Sequence, residues 1–231
     1  MRVRTHSPFR DKRVQAFAMG RSVPTFDQIA LPLVPAGSGE ATRIVIGTAN
    51  AHVIEALQAK ESWPFHTAVL TGPARSGKSL LGRWAEGQGI EVIDGADALP
   101  EDEVFHRWNA VQKGGSKERT SLLLIADSTP WDITLPDLAS RLGGSLQLEL
   151  GDPDDVMAAA LIEAHAEARA LTLADGAAEY LVPRTRRSFA ALETLIETID
   201  RISLERATPA TMSVWRAALE ALHGPDQQKL L

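Results

Sequence analysis

Up to about position 40 the apolar residues show no period, and beyond it they fall into two kinds of run. Short aliphatic stretches at 44–46, 68–70, 91–93, 122–126 and 146–150 predict strands, the first a brief leading one. Between them the spacing is helical. Val53, Ile54 and Leu57 follow Asn50, a residue able to cap the helix they form, and further helices are predicted over 79–88 and 102–113. Strands that alternate with helices in this way predict an α/β domain on a parallel sheet.

After position 150 the strand signal stops. Gly151-Asp152-Pro153-Asp154-Asp155 reads as a helix start, with Asp152 as N-cap, Pro153 in the first helical position and carboxylates favoured by the dipole. Helical spacing then continues through 156–170, 177–181, 189–204 and 214–222. The chain divides into a leader (1–20), an extended tail (21–40), a sheet domain (41–151), a helical lid (152–223) and a C-terminal tail (224–231).

With 231 residues, 44% of them apolar, the chain can bury an α/β core plus a small helical one. It has no run long enough to cross a membrane and no secretory apolar segment after Met1, and its lack of cysteine fits a reducing cytoplasm. Net charge is -6, yet residues 1–21 set Arg2, Arg4, Arg10, Lys12, Arg13 and Arg21 against Asp11 alone, so the body is more acidic than the total implies. Such a body is a poor candidate for unaided DNA binding, which rests on phosphate neutralisation. The leader reads as disordered. A DNA-binding arm, a transit peptide and a translated stretch upstream of a start at Met19 remain open for it.

Chemistry concentrates at Gly72-Pro73-Ala74-Arg75-Ser76-Gly77-Lys78-Ser79, a complete G-x-x-x-x-G-K-[ST] phosphate loop after the 68–70 strand. The expected cofactor is ADP or ATP with Mg2+. Backbone N–H groups of the loop from Gly72 to Leu80, Pro73 excepted, face the polyphosphate, Lys78 adds a point charge, and the Ser79 hydroxyl coordinates magnesium at the helix N-terminus. Arg75 stands where a glycine is frequent. If that site has positive φ, arginine costs roughly 1 kcal/mol there and affinity falls.

Two aspartates compete for the second metal-coordinating role: Asp127, after the strongest apolar run, and Asp94, which ends the 91–93 strand and is preferred. His52, His66, His106, His165 and His223 lack metal spacing, and the five tryptophans are not interleaved with basic residues, so both groups read as packing or surface residues.

Within the Pro- and Gly-rich tail lies Gln28-Ile29-Ala30-Leu31-Pro32-Leu33, whose apolar side chains suit pockets on a partner. It resembles the sliding-clamp-binding motif, Gln-Leu-x-Leu-Pro-Leu. Val92-Ile93-Asp94, Phe105-His106-Arg107-Trp108-Asn109, Ala126-Asp127-Ser128-Thr129-Pro130, Ser140-Arg141-Leu142 and Ser188-Phe189-Ala190-Ala191-Leu192-Glu193 follow in the order seen in DnaA-related AAA+ proteins. Over residues 26 to 222 the chain is most similar to the Hda group (HdaA in alphaproteobacteria), regulators that inactivate the replication initiator DnaA.

The resemblance implies an AAA+ P-loop sheet domain followed by a helical lid, without the initiator's C-terminal DNA-binding domain. Too few residues separate Ser79 from Asp94 for the strand–helix unit that commonly intervenes, so the sheet is expected to be shortened. It further implies Asp94 as the Walker B carboxylate, Asp127 as sensor I and Arg141 as an arginine finger acting in trans, against the plainer reading of Arg141 paired with Asp137. The implied partners are the sliding clamp (the beta subunit of DNA polymerase III) and DnaA. DNA is reached only through the clamp, which makes the cytoplasmic protein nucleoid-associated, and self-association stays open. Gly95 replaces the second Walker B acid, although Asp97 is near, and Ala190 replaces the usual sensor II arginine. Weak or absent intrinsic ATPase is expected, with Arg186 or Arg187 as compensating cations or as part of a solvated loop with Arg184. An autonomous AAA+ ATPase and a non-catalytic clamp-tethered scaffold are the alternatives.

Overall fold

The computed structural model describes residues 43–113 and 121–224. The leader, the clamp-like hexapeptide and the C-terminal tail lie outside the described residues. From Arg43 onward the order is α1 (Ala51–Gln58), β1 (Thr67–Thr71), α2 (Lys78–Gly87), β2 (Ile90–Asp94), α3 (Glu101–Lys113), β3 (Ser121–Ile125), α4 (Pro136–Gly143) and β4 (Leu146–Glu149). Four lid helices follow: α5 (Asp155–Ala168), α6 (Ala177–Leu181), α7 (Phe189–Arg206) and α8 (Met212–His223).

The strands form a four-stranded parallel sheet in the order β2-β3-β1-β4, with Val69 opposite Leu124 and Gln147. Both faces are covered, which is why the central strands are continuous apolar runs. Ala68, Leu70, Leu123 and Ile125 pack with α1 and α2. The alternate residues Val69, Leu122 and Leu124 meet Val104, Trp108 and Val111 of α3 and Leu138 and Leu142 of α4. The shortened sheet expected from the sequence is the one observed. The lid has its own core, centred on Leu181, Leu195, Ile196, Ile199 and Trp215.

Three local expectations are corrected. Residues 44–46 are not a strand. Their alternation is real, but it divides an extended segment between two cores: Ile44 and Ile46 pack on the sheet domain and Val45 enters the lid core. Asn50 does stand at the N-cap of α1, yet its side chain turns back, accepting from Gly47 N (2.9 Å) and donating to Val45 O (2.8 Å). The lid begins with Asp154 as cap instead of Asp152. Its carboxylate accepts from Met157 N (2.8 Å) and from Thr48 Oγ1 (2.9 Å), which ties α5 to the segment crossing beneath it, while Pro153 is buried ahead of the helix.

Candidate functional site

The C-terminal ends of parallel strands form a crevice where the strand order changes direction, and β1 is that strand here, flanked by β3 and β4. The phosphate loop leaves its end. Gly72 (φ +153°) has no room for a side chain, since a Cβ would stand 2.7 Å from Leu150 Cβ and 3.2 Å from the Leu150 backbone. Gly77 (φ +85°) makes the turn into α2. Arg75 does have positive φ, at +63°, so the strain expected of an arginine at this position is present.

Lys78 is buried (6% exposed) and folded over the loop, its Nζ donating to Gly72 O (3.0 Å) and Pro73 O (3.1 Å) and pairing with Asp127 Oδ1 (3.1 Å). Asp127 lies just past β3 with its side chain 80% exposed. Around these groups is a cleft of about 260 Å³ lined by Arg75 to Leu80 together with Arg83, Asp127, His165 and Glu193. Its size and its supply of N–H groups and cations suit phosphate better than an apolar ligand. A second, smaller cavity of about 70 Å³ continues from it between Ile44, Val45, Leu80, Met157 and Leu161, at the seam of sheet domain and lid.

Asp94 ends β2, beyond the intervening β3, and is exposed outside the residues that line the cleft. The structure thus brings Ser79 and Asp127 together at the loop and leaves Asp94 apart. Among the described residues no cluster of three or more His, Asp or Glu is arranged to hold a metal by itself. Magnesium keeps waters and binds through one or two side chains plus substrate phosphates, so a single hydroxyl can serve it. Ser79, exposed at the start of α2, fits that role.

Asp97 is engaged elsewhere. It accepts from Asp127 N (3.2 Å) and Ser128 N (2.8 Å), strapping down the turn that carries Asp127. Burial works to raise its pKa, but the hydrogen bonds from the Ser128 hydroxyl and from the Ser128 and Asp127 backbone outweigh it and hold the carboxyl below 3.8. Glu101, at the start of α3, similarly accepts from Thr134 N (2.8 Å) and Leu135 N (2.6 Å) and fixes the approach to α4.

Arg141, in the last turn of α4, is not paired with Asp137. Its guanidinium carbon lies 4.8 Å from the ring centroids of both Phe105 and Trp108, and its buried Nε has no partner. Phe65 stands beside Trp108 with ring centroids 5.9 Å apart. The two rings fix the plane of a cation whose residue is half-buried.

On the lid, Arg187 pairs with Asp155, and Arg184 lies 4.2 Å from the Tyr180 ring centroid while donating to Tyr180 O (2.9 Å). Neither Arg186 nor Arg187 lines the phosphate cleft. The lid residues that do line it, His165 on α5 and Glu193 on α7, were missed in the sequence. Glu193 accepts from Arg75 Nη1 at 3.0 Å. Its one legible signal is its place one turn beyond Ala190 on the same helix.

A parallel sheet with its phosphate loop at the switch point and a four-helix lid is the architecture of the AAA+ fold. Residues 154–217 match the family model described as "Hda, lid domain". The match to an Hda lid and the fold shared with DnaA domain III are consistent with a DnaA-related, Hda-like AAA+ protein. Among solved structures, domain III of the Thermotoga maritima replication initiation protein DnaA is similar over 84% of this chain and 100% of that one, at 15% identity and a TM-score of 0.62. The replication initiator DnaA bound to AMPPCP and single-stranded DNA aligns with 71% of this chain and 66% of that chain, at 18% identity and a TM-score of 0.52. The RuvB Holliday junction branch migration motor of Thermotoga maritima gives 77% and 70%, at 16% identity and a TM-score of 0.55. At these identities the likeness is one of fold. No curated protein matches the chain. No helix among the described residues is long and apolar enough to cross a membrane.

Proposed function

We propose that this chain is a nucleotide-binding regulator of replication initiation that acts on DnaA. The observation that carries the reading is the joining of an Hda-type lid, over residues 154–217, to a sheet domain whose phosphate loop holds a buried Lys78 against Gly72 O, Pro73 O and Asp127. ADP or ATP binds along Gly72 to Leu80, with Lys78 leaving the loop carbonyls for the phosphates. Ser79 would hold magnesium through its hydroxyl, with Asp94 as the more distant carboxylate and Asp127 as the polar contact toward the terminal phosphate, and the ion would offset phosphate charge.

Residues 28–33 dock on the sliding clamp and bring the body to DnaA on DNA. Arg141 then faces the ATP of the neighbouring DnaA. Water attacks the terminal phosphorus, the bond to the ADP oxygen breaks, and the guanidinium stabilises the charge that spreads over the transferred phosphoryl oxygens. Such a finger supplies about 10³ to 10⁵ in rate in other systems. The Phe105 and Trp108 rings supply its positioning by limiting the rotamers it samples.

Weak or absent turnover of the chain's own nucleotide follows from two features. Gly95 offers no carboxylate to orient water, and both oxygens of Asp97 are occupied by the 127–128 turn. The test is hydrolysis of DnaA-bound ATP on clamp-loaded DNA. The parent is expected to stimulate it and Arg141→Ala to leave the ATP intact, while equal stimulation by the two proteins overturns the finger assignment.

A further inference from the structure

The one guanidinium in the phosphate loop is bound to the lid. Arg75 is held in the left-handed region (φ +63°), a conformation that strains any side chain with a Cβ, and its Nη1 meets Glu193 Oε1 on α7 at 3.0 Å. Exposure is unequal across the pair, 66% for the Arg75 side chain and 17% for Glu193. The carboxylate therefore depends on Arg75 for compensation, while the guanidinium remains open to the cleft. Glu193 lies one helical turn past Ala190, the position at which the resemblance implies an arginine, and presents an acid to the loop.

A second, independent observation lies beside the pair. Ser76 Oγ, in a residue 6% exposed, and His165 Nδ1 on α5 both line the cleft and are buried without a hydrogen-bond partner. Polar atoms without partners flank the ion pair on both the loop side and the lid side.

Carboxylate and phosphate are interchangeable partners for a guanidinium, and the more highly charged polyphosphate, fixed by the loop N–H groups, is the stronger one. We propose that Arg75 exchanges partners: a nucleoside polyphosphate draws it away from Glu193, and α7, left with an uncompensated carboxylate facing phosphate, is released from the loop. Lid position and nucleotide occupancy are then linked through this exchange, and by reciprocity Glu193 weakens nucleotide binding to the same degree that nucleotide loosens the lid. The inference rests on the proposed phosphate site and adds to it the residue pair that reports occupancy to the lid.

Calorimetric titration of ADP into the full chain tests it. Glu193→Gln is expected to tighten ADP roughly three- to fivefold, the scale of a partly exposed ion pair. Arg75→Ala is expected to weaken ADP and to cut the gain from Glu193→Gln to less than half in the double variant. For the lid, spin labels at cysteines introduced in place of the exposed Glu86 and Leu204 are free of background, since the chain has no cysteine. Their separation is expected to change with ADP in the parent, and to be shifted already without ADP in Glu193→Gln. An unchanged or weaker ADP affinity in Glu193→Gln, the full gain persisting with Arg75→Ala, or a label distance indifferent to saturating ADP each overturns the exchange. If the parent binds ADP and Lys78→Ala does not, the phosphate site stands whatever becomes of the exchange. Absence of ADP binding by every variant overturns both.

Discussion

Replacing Arg141 with alanine is the decisive substitution for the proposed finger, so its effect on the fold must be small and calculable. The guanidinium carbon is 4.8 Å from two ring centroids, inside the roughly 6 Å range of cation–π attraction. In a half-buried residue each face is worth about 0.5–1 kcal/mol, so removing the cation costs about 1–2 kcal/mol. Against this, the buried Nε has no partner, and its removal recovers about 1 kcal/mol of desolvation. Arg141→Ala is therefore expected to cost about 0–1 kcal/mol net, and the variant remains folded. Urea denaturation of the parent, Arg141→Ala, Phe105→Leu and the double variant closes the cycle, with an expected coupling between residues 141 and 105 of about 0.5–1 kcal/mol and unchanged m-values. Coupling below about 0.3 kcal/mol, the ordinary error of additivity, refutes the stacking argument. A cost above about 3 kcal/mol for Arg141→Ala refutes the bookkeeping and marks Arg141 as structural.

Two further outcomes follow from the geometry. Gly72→Ala forces a Cβ to within 2.7 Å of Leu150 Cβ and shifts the carbonyl that anchors Lys78, so the midpoint in urea should fall by an amount equivalent to about 2–4 kcal/mol; a loss under about 1 kcal/mol contradicts the packing. Burial first, then the nearby Arg169, holds the His165 pKa below 6.5, with Glu197 partly opposing. The unfolded chain thus takes up this proton first as the pH falls. The stability contributed by neutral His165 is full above about pH 6.5 and is lost as the pH drops through the lower folded value. Melting temperature should decline as the pH falls below about 6.5, less steeply in His165→Gln, and an identical slope in the two proteins contradicts the assignment.

The sheet was legible because Leu122 to Ile125 and Ala68 to Leu70 must be apolar on both faces, and that demand writes itself as an unbroken run. The lid was legible through helical spacing, since each of its helices buries one stripe in a single core. What misled were positions whose partner lies far along the chain. Ile44 to Ile46 alternates as a strand does, but what sets the alternation is two different cores on either side, and no strand among the described residues pairs with it. The local pattern puts the cap at Asp152 ahead of Pro153, whereas Asp154 caps α5, accepting from Met157 N and from Thr48 Oγ1, a partner more than a hundred residues away in sequence. At the site, the strand order and the loop fix where Lys78 and Ser79 stand. The closeness of Asp127 to Lys78, the two rings around Arg141 and the reach of Glu193 to Arg75 depend on packing between elements that no local pattern encodes.

The proposed function requires Lys78 and the loop from Gly72 to Leu80 to hold a nucleoside polyphosphate. Calorimetric titration of ADP and ATP into the purified full chain, with and without magnesium, measures it directly beside Lys78→Ala. Saturable binding of one equivalent, lost in Lys78→Ala, is the expected result. No heat of binding up to about 1 mM of either nucleotide, or equal affinity in the parent and Lys78→Ala, contradicts it.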